Sequence, residues 1–219
     1  MAVENYTARF NDAAWLKPRD IVLGGAGGIN SWVALSLARI GHKLTIYDMD
    51  RYEDVNIAGQ FCTEKDINVN KATALVKNLL AFTGTSHHSA MKEYKVNSFV
   101  SPIMISGFDN MAARKLMFEK WKAQEDREIF IDGRMTMESF SVFAVTKGKE
   151  EDYEKTLFDD ADASILSCSA KASTHNAMGI SYIITGVLNN FLVADPTGFR
   201  VVPFCTDMDI SLFMFEINE

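Results

Sequence analysis

The 219-residue chain has an ordinary globular composition, with 47% hydrophobic and 23% charged residues, which excludes a disordered polar chain. Its formal net charge of −7 and its pI near 5.2 argue against a domain that binds nucleic acid by neutralising phosphates. A chain of this length is expected to form one domain with a substantial buried core.

The cysteines and the chain's apolar segments point to a protein of the reducing cytoplasm. Cys62, Cys168 and Cys205 are scattered and form no CxxC pair, so neither a disulfide framework nor a zinc site is expected. The first ten residues lack the pattern of a signal peptide. The most apolar stretch, 177–194, contains serine, threonine and asparagine, which favours a buried helix over a membrane span.

The first elements along the chain predict a strand–turn–helix–strand unit. Residues 19–23 are apolar and predict a buried strand, and the glycines of 24–28 predict a tight turn. A helix is predicted over 29–40, ending at Gly41, and a second strand over 43–47. The unit has about thirty residues, the size of a right-handed crossover onto a parallel sheet.

The later elements extend this pattern into an α/β domain. Residues 51–66 are polar and predict a functional loop, and the acidic stretch 150–162 is expected to cross the surface. Further helices are predicted over 68–82, 111–124 and 174–193, and further strands over 87–91, 103–106, 128–132, 139–146, 199–204 and 210–217.

We therefore predict an α/β, Rossmann-like mixed sheet whose N-terminal half is parallel and doubly wound and whose C-terminal strands are antiparallel. No internal repeat or linker divides the chain, so 1–219 is interpreted as a single nucleotide-binding domain. Its core is expected at 19–145, with a C-terminal crossover helix and closing strands in 146–219.

The glycine-rich turn is the first candidate for a binding site. Glycines allow backbone N–H groups to approach a phosphate, and the N-terminus of the following helix adds partial positive charge. Asp48 ends the next strand, 23 positions after Gly25, where an acid accepts the hydroxyls of an adenosine ribose. Glycine turns also serve as plain packing devices, and turn or cap chemistry is the alternative role for an aspartate here.

Six landmarks in a fixed order resemble the ThiF/MoeB/ubiquitin-activating-enzyme superfamily of adenylyltransferases. They are GAGGIN from Gly25, LTIYDMD from Leu44, VNIAGQ from Val55, Lys71 at the start of a helix, ISGFDN from Ile105 with Arg114, and IDG from Ile131. The resemblance covers residues 6–145 and, more faintly, 168–193. Six landmarks with matching gaps are far more specific than any one of them.

The resemblance implies a set of nucleotide-binding residues. Asp48 would hold the ribose, and Asn56 and Lys71 would contact the phosphates. The full set is Gly25, Gly27, Gly28, Asp48, Asp50, Asn56, Gln60 and Lys71. The nucleotide implied is ATP.

The resemblance also implies catalytic groups. Asp109 would ligate Mg²⁺, a hard cation that takes a carboxylate together with phosphate oxygens. Arg9 resembles an N-terminal arginine that reaches the γ-phosphate across a homodimer interface, with a surface arginine as the alternative. Cys168 stands about where relatives place a sulfur-transfer or thioester cysteine, with a buried small residue as the alternative.

The implied activity is ATP-dependent adenylyl transfer to the C-terminal carboxylate of a small ubiquitin-like or sulfur-carrier-type protein or peptide. The protein would act as a homodimer or beside a partner subunit, with neither nucleic acid nor a membrane as partner. Two other functions stay open: a catalytically silent member that binds nucleotide as a scaffold, and a nucleotide-cofactor oxidoreductase. The second is weakened by Asn56, Lys71 and Asp109, which a hydride-transfer site does not need.

One departure from the family pattern affects the predicted chemistry. The family usually has an arginine where this chain has Gly59, so one cation that faces the phosphates is missing. We predict that Arg134, after the strand at 128–132, supplies that charge as a catalytic residue; Arg51 and Arg9 are weaker candidates. The alternative is that Arg134 pairs with Glu138 on the surface.

Overall fold

The computed structural model describes residues 17–136, 138–158, 173–193 and 200–218. The strands are β1 (Asp20–Gly24), β2 (Lys43–Tyr47), β3 (His88–Ala90), β4 (Ile103–Ser106), β5 (Ile129–Thr136), β6 (Ser139–Val145), β7 (Cys205–Asp209) and β8 (Met214–Asn218). The helices are α1 (Gly28–Ile40), α2 (Lys71–Thr83), α3 (Met111–Lys122), α4 (Glu150–Glu154) and α5 (Thr174–Val193).

The eight strands in the described part of the chain belong to one mixed sheet, in the order β3-β2-β1-β4-β5-β6-β7-β8. The strands from β3 to β5 in that order pair in parallel, and β5 to β8 pair in antiparallel fashion. This confirms the predicted fold class. Because β1, β2, β4 and β5 run parallel to one another, their carboxyl ends share one edge of the sheet.

The two faces of the sheet carry separate apolar clusters. On one face α1, α2 and α5 cover side chains such as Leu23 and Ile105. On the other face, α3 and α4 contribute Trp121 and Tyr153 to a cluster that includes Phe130 of β5. Successive residues of a strand point to opposite faces, so the central parallel strands are apolar on both sides.

The long helix α5 packs one of its faces against the rest of the protein. By length and composition alone it is apolar enough to cross a membrane. Its buried face, which includes Ala177, Ile180 and Ile184, lies against the sheet and joins the cluster that α1 contributes to. This is the packing of a core helix, the interpretation that its polar residues favoured.

Three sequence-based expectations for the C-terminal third are corrected. The strand predicted over 199–204 is absent from the described residues 200–204, and β7 begins only at Cys205. Pro203 has no N–H group to donate to a strand ladder, which explains the later start. The last strand likewise begins at Met214 rather than at residue 210. The acidic stretch contains a short helix, α4, whose Tyr153 is fully buried.

Candidate active site

The candidate site lies where β1 and β4 meet at the carboxyl edge of the sheet. Gly24, the last residue of β1, is in register with Ser106, the last residue of β4. The chain leaves β1 toward β2 on one side and leaves β4 toward β5 on the other. Ligands of open α/β sheets bind in the crevice at such a switch point. Two groups of predicted residues flank this crevice.

In the glycine turn between β1 and α1, the backbone is closely packed at Gly25 and has free space beside it at Gly27. Gly25 has φ +89°, a conformation that favours glycine, and its N–H donates to the Tyr47 carbonyl (2.8 Å). A Cβ on Gly25 would lie 3.2 Å from the Gly107 carbonyl oxygen. A Cβ on Gly27 would meet no atom of the described segments within 4 Å. The turn therefore leaves open space directly at the start of α1.

The N-terminus of α1 differs from those of α2 and α3. Asn70 caps α2 and Asn110 caps α3, each accepting a hydrogen bond from a backbone N–H of the first turn. Gly27, the N-cap residue of α1, makes no side-chain hydrogen bond, and the first turn of α1 has no acidic residue. The first N–H groups of a helix have no partner within it, so this end of α1 suits an anion.

Asp48 stands at the end of β2 with its carboxylate held in place. Its Oδ2 accepts the Ala26 N–H (2.7 Å) and its Oδ1 accepts the Asp50 N–H (2.8 Å). Burial raises the pKa of Asp48 above its usual value of 3.8. Each carboxylate oxygen can accept a second hydrogen bond. The carboxylate thus retains the capacity to receive two hydroxyl groups beside the glycine turn.

Asp50 and Lys71 lie next to Asp48. The Lys71 ammonium is 3.5 Å from Oδ2 of Asp50, and its side chain is only 14% exposed. Asn70 joins the two segments, since its amide donates to the carbonyls of Asp48 (2.9 Å) and Asp50 (3.0 Å). The sequence prediction did not single out Asn70, although an asparagine directly before a helix is a cap signal.

Asn56 and Gln60 belong to the loop between β2 and α2. The Asn56 side-chain oxygen accepts the Glu53 N–H (2.9 Å), so its NH₂ group is the part suited to a phosphate. Oε1 of Gln60 is buried and has no hydrogen-bond partner among the described residues. Their predicted contacts with nucleotide stay predictions.

Gly59 is buried under helix α1. The indole N–H of Trp32 donates to the Gly59 carbonyl (3.0 Å), and Oγ of Ser31 accepts the Phe61 N–H (3.0 Å). The loop is thereby fastened to α1 at the position where the family usually has an arginine. No side-chain cation comes from this position, so any replacement charge has to come from another element.

Asp109 lies in the loop between β4 and α3, on the other side of the crevice. Asn110 caps α3 by accepting the Ala113 N–H (2.8 Å), so Asp109 is not needed as the cap. Asp109 itself is exposed. The described residues contain no group of three or more acidic, histidine or cysteine side chains that would hold a metal ion alone. A single carboxylate nevertheless fits Mg²⁺, which binds one or two carboxylates and completes its shell with phosphate oxygens and water.

Arg134 lies near the end of β5, and its guanidinium is held from three sides. Nε donates to Asp132 (2.8 Å), and both terminal nitrogens donate to Thr156 (2.9 Å each). The guanidinium also lies 4.4 Å from the centre of the Phe143 ring. The alternative pairing with Glu138 is therefore wrong, because the carboxylate partner is Asp132. The predicted contact of Arg134 with a phosphate stays a prediction.

Two predicted residues, Arg9 and Cys168, lie outside the described residues. Arg51, a weaker candidate for the missing cation, donates to the Asn68 carbonyl from an exposed position.

Comparison with known proteins agrees with this architecture. The model of the ThiF family matches residues 11–193. No curated protein sequence matches the chain. The fold is similar to those of E. coli MccB with MccA-N7isoASN (13% identity, TM-score 0.74, 99% of this chain and 71% of that one) and of PaaA (18%, 0.73, 99% and 73%). It is also similar to E. coli MccB with ATP (15%, 0.73, 99% and 68%).

Proposed function

We propose, since this chain belongs to the ThiF family, that it is an ATP-dependent adenylyltransferase acting on the C-terminal carboxylate of a small protein or peptide. One observation carries the proposal: the uncapped N-terminus of α1 lies at the switch point beside the fixed Asp48 carboxylate. An anion site next to a ribose site is what a nucleotide requires. Solved structures of MccB, which shares the fold, contain ATP or N-formylated MccA.

In the proposed reaction a carboxylate oxygen of the acceptor attacks the α-phosphorus of ATP. The bond from that phosphorus to the oxygen leading to the β-phosphate breaks, so the products are an acyl-adenylate and pyrophosphate. Lys71, Arg134 and the backbone N–H groups of the glycine turn would stabilise the charge that develops on the phosphoryl oxygens. Mg²⁺, held by Asp109 and the phosphates, would supply further charge neutralisation when bound.

The proposal is tested by ATP–pyrophosphate exchange with small proteins and peptides as acceptors. Each peptide is paired with its C-terminally amidated form, which removes the attacking oxygen and leaves the rest of the acceptor unchanged. We expect exchange only with the free carboxylate. Exchange that is equal with both forms would contradict activation of the C-terminus.

A second candidate function is a nucleotide-binding scaffold without catalysis. The observation that favours it is the buried Gly59, which contributes no side-chain charge where the family usually has an arginine. ATP binding without pyrophosphate release for any acceptor is the result that this function requires.

Asp48→Ala is expected to weaken ATP binding about 10-fold or more, since hydrogen bonds to a charged group contribute about 1.5–3 kcal/mol. Calorimetric titration compares the binding of ATP with that of 2′,3′-dideoxy-ATP, which lacks the ribose hydroxyls. The comparison distinguishes a lost contact with the ribose from a general disturbance of the glycine turn. The parent protein should favour ATP, and Asp48→Ala should bind both nucleotides equally weakly. Tighter binding of NAD than of ATP by the parent protein would overturn the choice of nucleotide and favour an oxidoreductase.

Cys168→Ala is expected to keep ATP–pyrophosphate exchange, because forming the adenylate needs no thiol, and to lose any later thioester or persulfide. Burial raises the pKa of Cys62 to about 11 and of Cys205 to about 12, so neither described thiol is a thiolate at neutral pH. Cys62→Ala is the matched control and should keep both steps. Loss of exchange in folded Cys168→Ala would show that the thiol acts earlier than proposed.

The assembly and location of the protein are also part of the proposal. We infer a homodimer or a pairing with a partner subunit, in which Arg9 would approach the γ-phosphate from the other chain. A groove between α1 and α5 supports this, since Met178 and Tyr182 along it are 48% and 75% exposed. Analytical ultracentrifugation tests the oligomeric state, and a strict monomer with full activity would exclude the role of Arg9.

We also propose a cytoplasmic location, which cell fractionation tests.

A further inference from the structure

Asp132, in the middle of β5 and in register with Ser106 at the end of β4, is a carboxylate with no exposed surface and three side-chain donors around it. The Arg114 guanidinium donates to Oδ1. Arg134 and the Tyr153 hydroxyl donate to Oδ2, at 2.8 Å and 3.0 Å. Burial raises the pKa of Tyr153, so its hydroxyl stays protonated and acts as the donor. Asp132 therefore joins β5, α3 and α4 at a single point.

Such a cluster is a costly way to stabilise a fold. Removing charges from water carries a desolvation penalty that an ion pair often fails to recover, and apolar residues of the same volume are commonly as stable or more so. Asp132, Arg114 and Arg134 are 0%, 8% and 19% exposed, so all three groups incur this penalty. A purely structural role would be served equally well by apolar packing. What the charged cluster adds is a fixed orientation of the groups that it binds.

That geometry extends to the loop of Asp109 through Arg114. Besides Asp132, the Arg114 guanidinium donates to the Gly133 carbonyl (3.0 Å) and to the Phe108 carbonyl. Phe108 directly precedes Asp109 in the chain, so the bond to its carbonyl orients the peptide group that leads into Asp109.

The side chain of Phe108 fixes the same loop from the other direction. Its ring occupies the space next to Gly24, where a Cβ would overlap it. The backbone N–H of Gly107 donates to the Gly24 carbonyl (2.9 Å). The residues before Asp109 are thus held by β1 on one side and by Arg114 on the other. Only the hydrogen bond from Arg114 comes from a charged group, and Asp132 orients that guanidinium.

We propose that Asp132 is a positioning residue for the metal-bound nucleotide. It orients Arg114, Arg114 holds the Phe108 carbonyl, and the Asp109 carboxylate is thereby presented to the metal ion of a metal–ATP complex. The inference rests on the proposed function, specifically on Asp109 as the metal-binding carboxylate. Residues behind a metal ligand commonly contribute 10–100-fold to metal affinity through such orientation.

The test measures metal-dependent ATP binding rather than turnover. The quantity is the ratio of the ATP dissociation constant in EDTA to that with saturating Mn²⁺, obtained by calorimetry. Asp132→Asn keeps the size of the side chain but directs an NH₂ donor at a guanidinium. We expect this ratio to fall about tenfold in Asp132→Asn. Tyr153→Phe retains the ring and loses one hydrogen bond to Asp132, so it should lower the same ratio about threefold. This variant tests the inference even if Asp132→Asn does not fold.

Two further variants complete the experiment. Glu150 lies on the same helix as Tyr153, and its carboxylate pairs with Arg127 (2.8 Å). Glu150→Gln removes that pair and should leave the ratio of the two ATP dissociation constants unchanged. Asp109→Asn tests the proposed metal ligand itself and should lower the ratio at least as much as Asp132→Asn. A normal ratio in Asp109→Asn would overturn the metal assignment and the inference with it. A low ratio in Asp109→Asn with a normal ratio in folded Asp132→Asn, or in Tyr153→Phe, would overturn the inference alone.

Discussion

Arg134→Ala is expected to lower the rate of ATP–pyrophosphate exchange about 10³-fold, the typical effect of losing a guanidinium that meets a phosphoryl group in the transition state. Arg134 and Arg114 share one carboxylate, Asp132, so the cluster carries a surplus positive charge. Asp132 and Thr156 accept hydrogen bonds from three of the five N–H groups of Arg134. In the proposed function, this surplus charge would compensate for the cation that Gly59 does not provide.

The variant should remain folded, because Asp132 keeps Arg114 and Tyr153 as partners. Arg134→Lys should restore only part of the rate, since an ammonium lacks the planar fork of a guanidinium. Arg127→Ala, which removes an ion pair with Glu150 elsewhere on the protein, is the matched control and should exchange normally. Normal exchange by Arg134→Ala would refute the compensation and make Arg134 a structural residue.

Asp132→Ala is expected to lower the free energy of unfolding by about 3–5 kcal/mol, because it removes the carboxylate that two largely buried guanidinium groups share. The loss is a large fraction of the stability of a typical domain. Urea denaturation at neutral pH, followed by circular dichroism, measures it.

Asp152→Ala is the control for this second variant. It removes a half-exposed carboxylate that pairs with Lys155 at the surface and should leave the urea midpoint unchanged. A change of less than about 1 kcal/mol in Asp132→Ala would mean that water reaches the two guanidinium groups. That outcome would also remove the rationale for Asp132 as an orienting group.

The parallel half of the fold, and the placing of the candidate nucleotide-binding residues at one sheet edge, were predictable because their signals are local. A tight turn at Gly25 requires positive φ, an asparagine before α3 caps it, and Gly41 ends α1 in the left-handed conformation. Each requirement involves residues close together in the chain. Because these signals follow one another in a fixed order, they also predict that Asp48 and Lys71 lie at one edge of the sheet.

The C-terminal strands were less predictable because their limits depend on pairing partners. An apolar run predicts a strand over 199–204, yet the ladder with β6 begins at Cys205, after Pro203. Apolar character alone does not indicate which backbone groups find a partner.

The sequence by itself determined the family, the glycine turn and the choice of residues proposed to bind nucleotide, since these depend on short motifs and their spacing. Only the tertiary structure decided which groups the arginines bind. Asp132 meets Tyr153 across 21 positions and Arg134 meets Thr156 across 22, on elements that lack a shared periodicity. Which cation a buried carboxylate binds depends on the packing of β5 against α3 and α4. Local propensity contains no information about that packing, so the sequence left Glu138 open as the partner of Arg134, whereas in the folded protein the partner is Asp132.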